Sequence, residues 1–295
     1  MKKAFDMALT LLPPSVRPFA RRLTQAETER AEELRLRSGQ APTVLLPDGE
    51  KPLPGAGLIS PGEISAVLEI ATGASLHTVA DSIRRGFVNV RGGVRVGVCG
   101  TAVTDRGRIT SLRAFSSVSI RIPGEAWGCA QEIFPRLAAE GFPSTLIVSP
   151  PGWGKTTLLR ELIRLLSGEG LRISLADERG EVAAQWNGVS QLDVGSHTDV
   201  ITGAPKAEAA MMLLRAMNPQ ILAMDEITAP EDVEACRRAA GCGVAILATA
   251  HGEDVKCLAG RELYRRLLEE GIFTRAVSIS KTPEGERRYS LVQLC

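Results

Sequence analysis

The middle of the chain reads Ser149-Pro150-Pro151-Gly152-Trp153-Gly154-Lys155-Thr156-Thr157, directly after an apolar run and directly before an amphipathic one. Glycines in such a loop let backbone N–H groups curl around phosphate oxygens, and the N-terminus of the following helix adds positive potential. In this pattern Lys155 binds the β- and γ-phosphates of a nucleotide, and the Thr156 hydroxyl binds Mg²⁺. Ser149 replaces the first glycine of the pattern, whereas Gly152 and Gly154 are present. The stretch is therefore a candidate ATP-binding loop, because a chance Gly-Lys-Thr turn would need neither the strand nor the helix.

A second motif is an apolar strand that ends in two acids, Ile221-Leu222-Ala223-Met224-Asp225-Glu226. Paired carboxylates at the tip of a buried strand suit phosphate chemistry: Asp225 would associate with Mg²⁺, and Glu226 would activate the attacking water. The alternative is that the two acids only begin the helix expected after Ala229. Because the phosphate-binding loop lies about 70 residues upstream, the catalytic interpretation is favoured.

A third motif, Ala176-Asp177-Glu178-Arg179-Gly180-Glu181, follows another apolar strand. Glu178 is a second candidate for polarising water, and Arg179 is a candidate phosphate contact in its own or a neighbouring subunit. A loop held together by salt bridges would carry the same residues, so the motif alone leaves both interpretations open.

A fourth motif, Ala248-Thr249-Ala250-His251-Gly252, ends the strand predicted from Val244. Ligands of parallel sheets bind beyond the carboxyl ends of the strands, so His251 is a candidate sensor of the γ-phosphate. A lone histidine is commonly structural, and the sequence does not decide between the two roles.

The four motifs lie in an alternation of apolar strands and amphipathic helices, which is typical of a parallel sheet with right-handed crossovers. Residues 126–295 are therefore predicted to form an α/β domain. Its predicted strands span 145–148, 171–176, 221–224, 244–249, 276–280 and 288–292, and its predicted helices span 126–140, 156–166, 206–217, 229–239 and 254–270.

Residues 1–125 have a different pattern and are predicted to form a smaller α+β domain. A helical pattern covers 26–34, a second helix begins at Pro61, and alternating β-like runs occupy 87–90, 94–98 and 117–122. The glycines among these runs lie between β-branched residues and not before a helix, so they are interpreted as bulges and hairpin turns. They are Gly92, Gly93, Gly97 and Gly100.

Composition excludes several classes of protein. Hydrophobic residues make up 44% and charged residues 23% of the 295 residues, as in ordinary globular proteins. No apolar run approaches the roughly 18–20 residues of a membrane-spanning helix, and Asp6 and Pro13 interrupt the N-terminal stretch that resembles a signal peptide. The six cysteines are scattered without a CxxC pair, which favours reduced thiols over a metal site. A cytoplasmic protein is expected.

Charge is divided unevenly along the chain. Residues 1–125 contain 17 basic and 12 acidic residues, a net charge of +5, whereas residues 126–295 contain 18 basic and 22 acidic residues, a net charge of −4. The basic half would face either nucleic acid or the acidic half of a neighbouring subunit. Aromatic residues make up only 4% of the chain, and no Trp or Tyr precedes Trp127, so platforms for base stacking are scarce. Nucleic acid is therefore the less favoured partner.

Three function classes follow from these observations. The favoured class is an ATP-hydrolysing assembly motor, and the alternative is a nucleic-acid-binding ATPase with the same core. A scaffold that binds ATP but scarcely hydrolyses it is the third class, and the intact pair Asp225 and Glu226 argues against it.

The motifs together resemble the RecA-like additional-strand ATPases, and more closely the sporulation stage III AA family, a relative of type II and type IV secretion and pilus ATPases. The similarity covers most of the chain and includes, besides the four motifs above, Glu33–Gly39, Gly92–Gly97, Ser119–Ile122 and Pro205–Glu208. It implies a RecA-like P-loop core with a mostly parallel sheet, preceded by the smaller α+β domain, and Mg²⁺-dependent ATP hydrolysis. It also implies a cytoplasmic homo-hexamer in the sporulating mother cell, held at the membrane by partners and powering a channel complex of other stage III proteins.

In the wider secretion family an acidic box, a Walker B strand and a histidine box line the nucleotide, and by position these correspond to 177–181, 224–226 and His251. Two glutamates, Glu226 and Glu178, therefore compete for the catalytic role, and Glu226 is favoured. The N-terminal domain of that family supplies arginines to a neighbour's nucleotide, for which Arg113 and Arg121 are the candidates here.

Overall fold

A computed structural model of the protein describes residues 2–73, 86–124, 127–139, 141–282 and 286–294. The chain divides into two compact units. The first comprises Met1–Glu125 together with Ala184–Gln191, and the second comprises Ala126–Ala183 and Leu192–Cys295. The sequence did not indicate that residues 184–191 group with the first unit. That residues 1–125 and 126–295 are separate domains stays a prediction.

The first unit contains six strands and four helices among its described residues. The strands are β1 (Glu33–Arg37), β2 (Thr43–Leu46), β3 (Gly49–Pro52), β4 (Phe87–Asn89), β5 (Arg95–Asp105) and β6 (Arg108–Arg121), and the helices are α1 (Lys2–Leu11), α2 (Arg17–Ala20), α3 (Gln25–Arg30) and α4 (Pro61–Thr72). The strands form one antiparallel sheet in the order β3-β2-β1-β6-β5-β4.

Of the two helices predicted for this unit, one is confirmed and the other is shorter than expected. The helix predicted at Pro61 is confirmed, because Ser60 and Glu63 exchange side-chain and backbone hydrogen bonds in a capping box before α4. The helix predicted over 26–34 is wrong beyond Arg30, where α3 ends. Leu34 and Leu36 are completely buried on β1, and their alternation with polar residues is the two-residue period of a strand.

The β5–β6 hairpin extends beyond the rest of the sheet. Past Cys99 on β5 and Ser116 on β6, the two strands pair only with each other among the described residues. The ladder shifts register between Cys99 and Thr101, and a β-carbon at Gly100 would lie 2.7 Å from the carbonyl oxygen of Arg113. The interpretation of Gly100 as a bulge is therefore confirmed.

Glu33 on β1 binds polar side chains of β1 and β6. Its carboxylate accepts hydrogen bonds from Arg35 Nε (2.7 Å), Ser119 Oγ (2.8 Å) and Arg121 Nε (2.9 Å). Burial disfavours the charged form, but the bonds from Ser119 and Arg35 and the charge of Arg121 outweigh it, so the pKa of Glu33 lies below its ordinary 4.5. Arg121, a candidate for contact with a neighbouring nucleotide, is thus ion-paired within its own unit, whereas Arg113 lies exposed on β6.

The second unit is an α/β structure. Its strands are β7 (Thr145–Ser149), β8 (Ile173–Asp177), β9 (Thr198–Thr202), β10 (Ile221–Met224), β11 (Ala245–His251), β12 (Arg275–Lys281) and β13 (Arg287–Gln293). Its helices are α5 (Phe134–Ala138), α6 (Lys155–Gly168), α7 (Lys206–Ala216), α8 (Pro230–Gly241), α9 (Val255–Ala259) and α10 (Glu262–Glu269). The sheet order is β13-β12-β7-β11-β10-β8-β9, with every pair parallel except β12 and β13.

Alternate residues of the central strands enter two separate apolar cores. Leu146, Leu222 and Met224 lie in the core with α7 and α8, whereas Ile147 and Ala223 lie in the core with α6. Burial on both faces explains why these strands read as continuous apolar runs in the sequence.

Three element predictions need correction. The helix expected over 254–270 is two helices, because Gly260 ends α9 and Arg261 takes an extended conformation. The helix expected over 126–140, whose ends lie outside the described residues, is confined to α5. Strand β9 was not predicted, since only two of its five residues, Val200 and Ile201, are apolar and the strand is half-buried at the sheet edge. No helix within the described residues is long and apolar enough to cross a membrane.

Candidate nucleotide-binding site

The candidate loop joins the carboxyl end of β7 to the first residue of α6. Its two glycines have left-handed backbones, with φ of 74° at Gly152 and 98° at Gly154, which residues with a side chain adopt only with strain. Gly154 is the residue that caps α6, and Lys155 is the first residue of that helix. The strand, loop and helix predicted from the sequence are therefore present, with Thr157 in the first helical turn.

Lys155 is buried, and three groups of the protein lie around its ammonium group. Its Nζ donates to the carbonyl oxygens of Ser149 (2.9 Å) and Pro150 (3.1 Å) and lies 2.7 Å from Nδ1 of His251. Burial lowers the pKa of Lys155, while the negative charges of Asp225 and Glu226 act in the opposite direction. Because an ammonium group can only donate hydrogen bonds, Nδ1 of His251 is the acceptor of the bond from Lys155.

Two hydroxyl groups hold the Asp225 carboxylate at the end of β10. Thr156 Oγ1 donates to Oδ2 (3.0 Å), and Thr249 Oγ1 donates to Oδ1 (2.7 Å). Burial raises the pKa of Asp225, and these two hydrogen bonds lower it in part. Asp225 forms no ion pair with a Lys or Arg among the described residues, although the charge of Lys155 lies near enough to interact with it.

Glu226 has a strained backbone and a side chain held at both oxygens. Its φ is 45°, a conformation that costs a non-glycine residue about 1–3 kcal/mol. The backbone N–H donates to Thr249 Oγ1 at 2.8 Å. Oε1 lies 3.0 Å from Nε2 of His251, and Oε2 lies 3.5 Å from Arg179. Strain of this kind accumulates at functional sites, where the surrounding contacts enforce it.

His251 connects the loop lysine to this glutamate. Its Nδ1 faces Lys155 and its Nε2 faces Glu226. Since Nδ1 accepts from Lys155, Nε2 carries the proton that is donated to Glu226. The Arg261 guanidinium donates to the backbone carbonyl of His251 at 2.9 Å. The residue between α9 and α10 therefore helps to hold the backbone of His251 in position.

The acidic motif after β8 separates into two roles. Asp177 is buried, and its carboxylate accepts the backbone N–H groups of residues 181–183. Burial raises its pKa, and these N–H bonds oppose the rise. Glu178 instead pairs with Lys206 Nζ at 3.0 Å, and that buried lysine lies 3.5 Å from Asp232. The structure thus pairs Arg179 with Glu226 and pairs Glu178 with Lys206, which Asp232 shares.

Sequence reasoning missed Thr249 and Lys206 as parts of the site. Thr249 is completely buried and contacts both acids of the second motif. The available signal was a hydroxyl between two alanines immediately before His251. Lys206 lies in Pro205–Glu208, a segment of the family similarity, but the sequence did not indicate that its side chain pairs with the acidic motif. Trp153 lies at the outer edge of the loop beneath Lys281, whose Nζ is 5.5 Å from the ring centre.

Comparisons with known proteins agree with this architecture. The family described as sporulation stage III, protein AA matches residues 4–288. The stage III sporulation protein AA of Bacillus subtilis (strain 168) is 34% identical over 277 residues, which cover 92% of this chain and 89% of that protein.

Solved structures show the same fold at much lower identity. The ATPase DotB of Yersinia pseudotuberculosis has a TM-score of 0.61 at 16% identity, with 92% of this chain and 77% of that chain covered. The pilus retraction motor PilT, solved with bound ADP, has a TM-score of 0.60 at 18% identity, with 92% and 83% covered. The expected RecA-like α/β fold is confirmed.

Proposed function

Because this chain belongs to the sporulation stage III, protein AA family, we propose that it is an ATP-hydrolysing motor that energises a membrane channel complex during endospore formation. One observation carries the proposal: the loop lysine, the Thr156–Asp225 pair and Glu226 meet at the carboxyl ends of β7, β10 and β11. ATP hydrolysis needs a phosphate cradle, a metal-binding pair and a base to activate water. All three are assembled from motifs that are far apart in the chain.

Lys155 and the backbone of the loop bind the β- and γ-phosphates of ATP. The lysine now rests on two loop carbonyl groups and His251, so the phosphate oxygens would replace partners that carry no full negative charge. Charge-assisted hydrogen bonds are stronger than those to neutral groups. The N-terminus of α6 adds its partial positive charge to the same position.

Thr156 and Asp225 fit Mg²⁺ as its protein ligands. Hydroxyl and carboxylate oxygens are the donors that this ion prefers, and it commonly takes only one or two carboxylates besides substrate phosphates. The buried Asp225 carboxylate, which forms no ion pair within the described part of the chain, suits such an ion. When bound, Mg²⁺ neutralises charge that develops on the phosphate oxygens.

Glu226 is the residue that activates water. It lies at the tip of β10, and His251 connects it to the lysine that binds the phosphates. Glu178 is less suited, because its carboxylate is neutralised by Lys206. Arg179, which pairs with Glu226, is 63% exposed along its side chain and is the candidate for contact with a phosphate in its own or a neighbouring subunit.

The motor works as a homo-hexamer in the cytoplasm of the mother cell, held at the membrane by embedded stage III sporulation proteins. This assembly is what the resemblance to secretion ATPases implies, and the opposite net charges of residues 1–125 and 126–295 suit contact between neighbouring subunits. The alternative is a nucleic-acid-binding ATPase, which the basic first half would favour.

Steady-state ATP turnover of the purified protein tests the proposal. It is measured with and without single-stranded DNA and RNA, and Lys155→Ala serves as the inactive control. Turnover that depends on Lys155 but is indifferent to nucleic acid supports the motor. Strong stimulation by nucleic acid that is lost at high salt would replace it with the alternative, and no turnover above the control would leave only nucleotide binding.

A further inference from the structure

Two cationic side chains from the C-terminal hairpin lie against the outer edge of the phosphate-binding loop. A β-carbon at Gly154 would lie 3.0 Å from Nε and 3.2 Å from Cζ of Arg287. The ammonium group of Lys281 stands over the Trp153 ring, within the range of a cation–π contact. The hairpin strand β12 is also the direct neighbour of β7, which leads into the loop.

The two cations face each other across the hairpin. Lys281 and Arg287 are directly opposed in the β12–β13 ladder, so their side chains leave the same face of the sheet. Like charges at opposed positions are destabilising. Neither side chain forms an ion pair with a carboxylate among the described residues, and both residues are exposed. Lys155 directly follows Gly154, so three basic side chains come from the loop, the start of α6 and the adjoining hairpin.

We propose that Lys281 and Arg287 form a second phosphate-binding flank of the site, outside the loop, that takes the di- or triphosphate chain of the nucleotide. An anion between the two side chains would remove their repulsion and add charge-assisted hydrogen bonds from the Arg287 guanidinium. Gly154 lacks a side chain where that guanidinium approaches, so the arginine comes directly against the loop. This inference rests on the proposed function, since it assumes that the loop binds a nucleotide.

Arg288 provides a matched control. It is adjacent in sequence, carries the same charge and is exposed, but it pairs with Ser280 and projects from the opposite face of the hairpin. A difference in nucleotide affinity between Arg287→Ala and Arg288→Ala is therefore caused by the position of the side chain and not by the net charge of the hairpin.

The dissociation constants of ADP and of inorganic pyrophosphate, measured by titration calorimetry on the full chain, test the flank. Arg287→Ala is expected to weaken both ligands by the same factor, about 10- to 100-fold, as loss of a hydrogen bond to a charged group does. Lys281→Ala is expected to weaken both in the same direction, and Arg288→Ala to leave both within roughly twofold. A loss confined to ADP would assign Arg287 to the base or ribose and overturn the phosphate flank.

Lys155→Ala separates failure of the flank from failure of the proposed function. Suppose that the wild-type protein binds ADP, that Lys155→Ala does not, and that Arg287→Ala and Arg288→Ala have the same dissociation constant for ADP. The phosphate-binding flank alone is then refuted. If the wild-type protein does not bind ADP, the proposed function fails and the flank with it. Thermal melting of the hairpin variants verifies that each is folded, which is expected for substitutions at exposed positions.

Discussion

Replacing Thr249 with valine removes one hydroxyl on which both acids of β10 depend. Valine has nearly the same shape and the same branching at the β-carbon, so it fills the space without a cavity. The substitution leaves the Glu226 N–H without its acceptor and the Asp225 carboxylate with only the Thr156 hydroxyl. Thr249 is completely buried, so water is poorly placed to replace the lost group.

The expected loss of stability follows from the two hydrogen bonds that Thr249→Val removes. A backbone hydrogen bond contributes about 1 kcal/mol and one to a charged group about 1.5–3 kcal/mol, so the free energy of unfolding is expected to fall by about 3 kcal/mol. For a unit of about 160 residues this corresponds to a melting temperature lower by about 6–12 °C. Turnover should also fall, because the strained Glu226 loses its backbone anchor. The loss cannot exceed the roughly 10²–10⁴-fold that a general base contributes.

Differential scanning calorimetry and steady-state ATP turnover measure the two effects on the same preparations. Thr249→Ser is the control, since it keeps the hydroxyl and loses only a methyl group, at a cost of about 1 kcal/mol. If Thr249→Val and Thr249→Ser melt together, or if turnover of Thr249→Val equals wild type, the hydroxyl does not hold the two acids as described.

Three further outcomes are expected. Glu226→Gln should bind ADP normally and lose about 10²–10⁴-fold in turnover, whereas Glu178→Gln should stay within roughly threefold of wild type; the reverse pattern would move the base to Glu178. Lys206→Met should lower the free energy of urea unfolding by about 3–5 kcal/mol, because Asp232 keeps a buried charge without its cation, and a loss below about 1 kcal/mol would contradict this. Glu33 has a lowered pKa in the folded state, so its stabilisation is complete above pH 4.5 and is lost as the pH falls through the lower folded value. Urea unfolding between pH 7 and pH 3 should therefore be less pH-dependent in Glu33→Gln, and an unchanged slope would argue against the ionised Glu33.

The elements of the second unit could be predicted because its central strands are buried on both faces. Leu146–Val148 and Ile221–Met224 are therefore continuous apolar runs, and a change to polar residues marks the end of each. Since the strands are parallel, these ends meet at one edge, so the location of Lys155 and Asp225 near each other followed from the pattern alone.

The parts that could not be predicted depend on the directions of individual side chains. Nothing in the sequence shows that the Thr249 hydroxyl turns toward both acids, or that Glu178 turns away to Lys206. The break at Gly260 was missed for a related reason: the apolar spacing continues through it. Arg261 takes the extended conformation of an N-cap residue before α10, and its side chain contacts His251.

The β5–β6 ribbon beyond Cys99 and Ser116 has open backbone edges among the described residues. Edges of this kind recruit strands from other molecules, and exposed Val103 and Ile109 add apolar surface to them. Three arginines lie along the ribbon, at positions 106, 108 and 113, with Asp105 as the one acid between 100 and 116. Copies of the ribbon therefore repel one another, so aggregation of this protein should increase with ionic strength even where its folding free energy does not change.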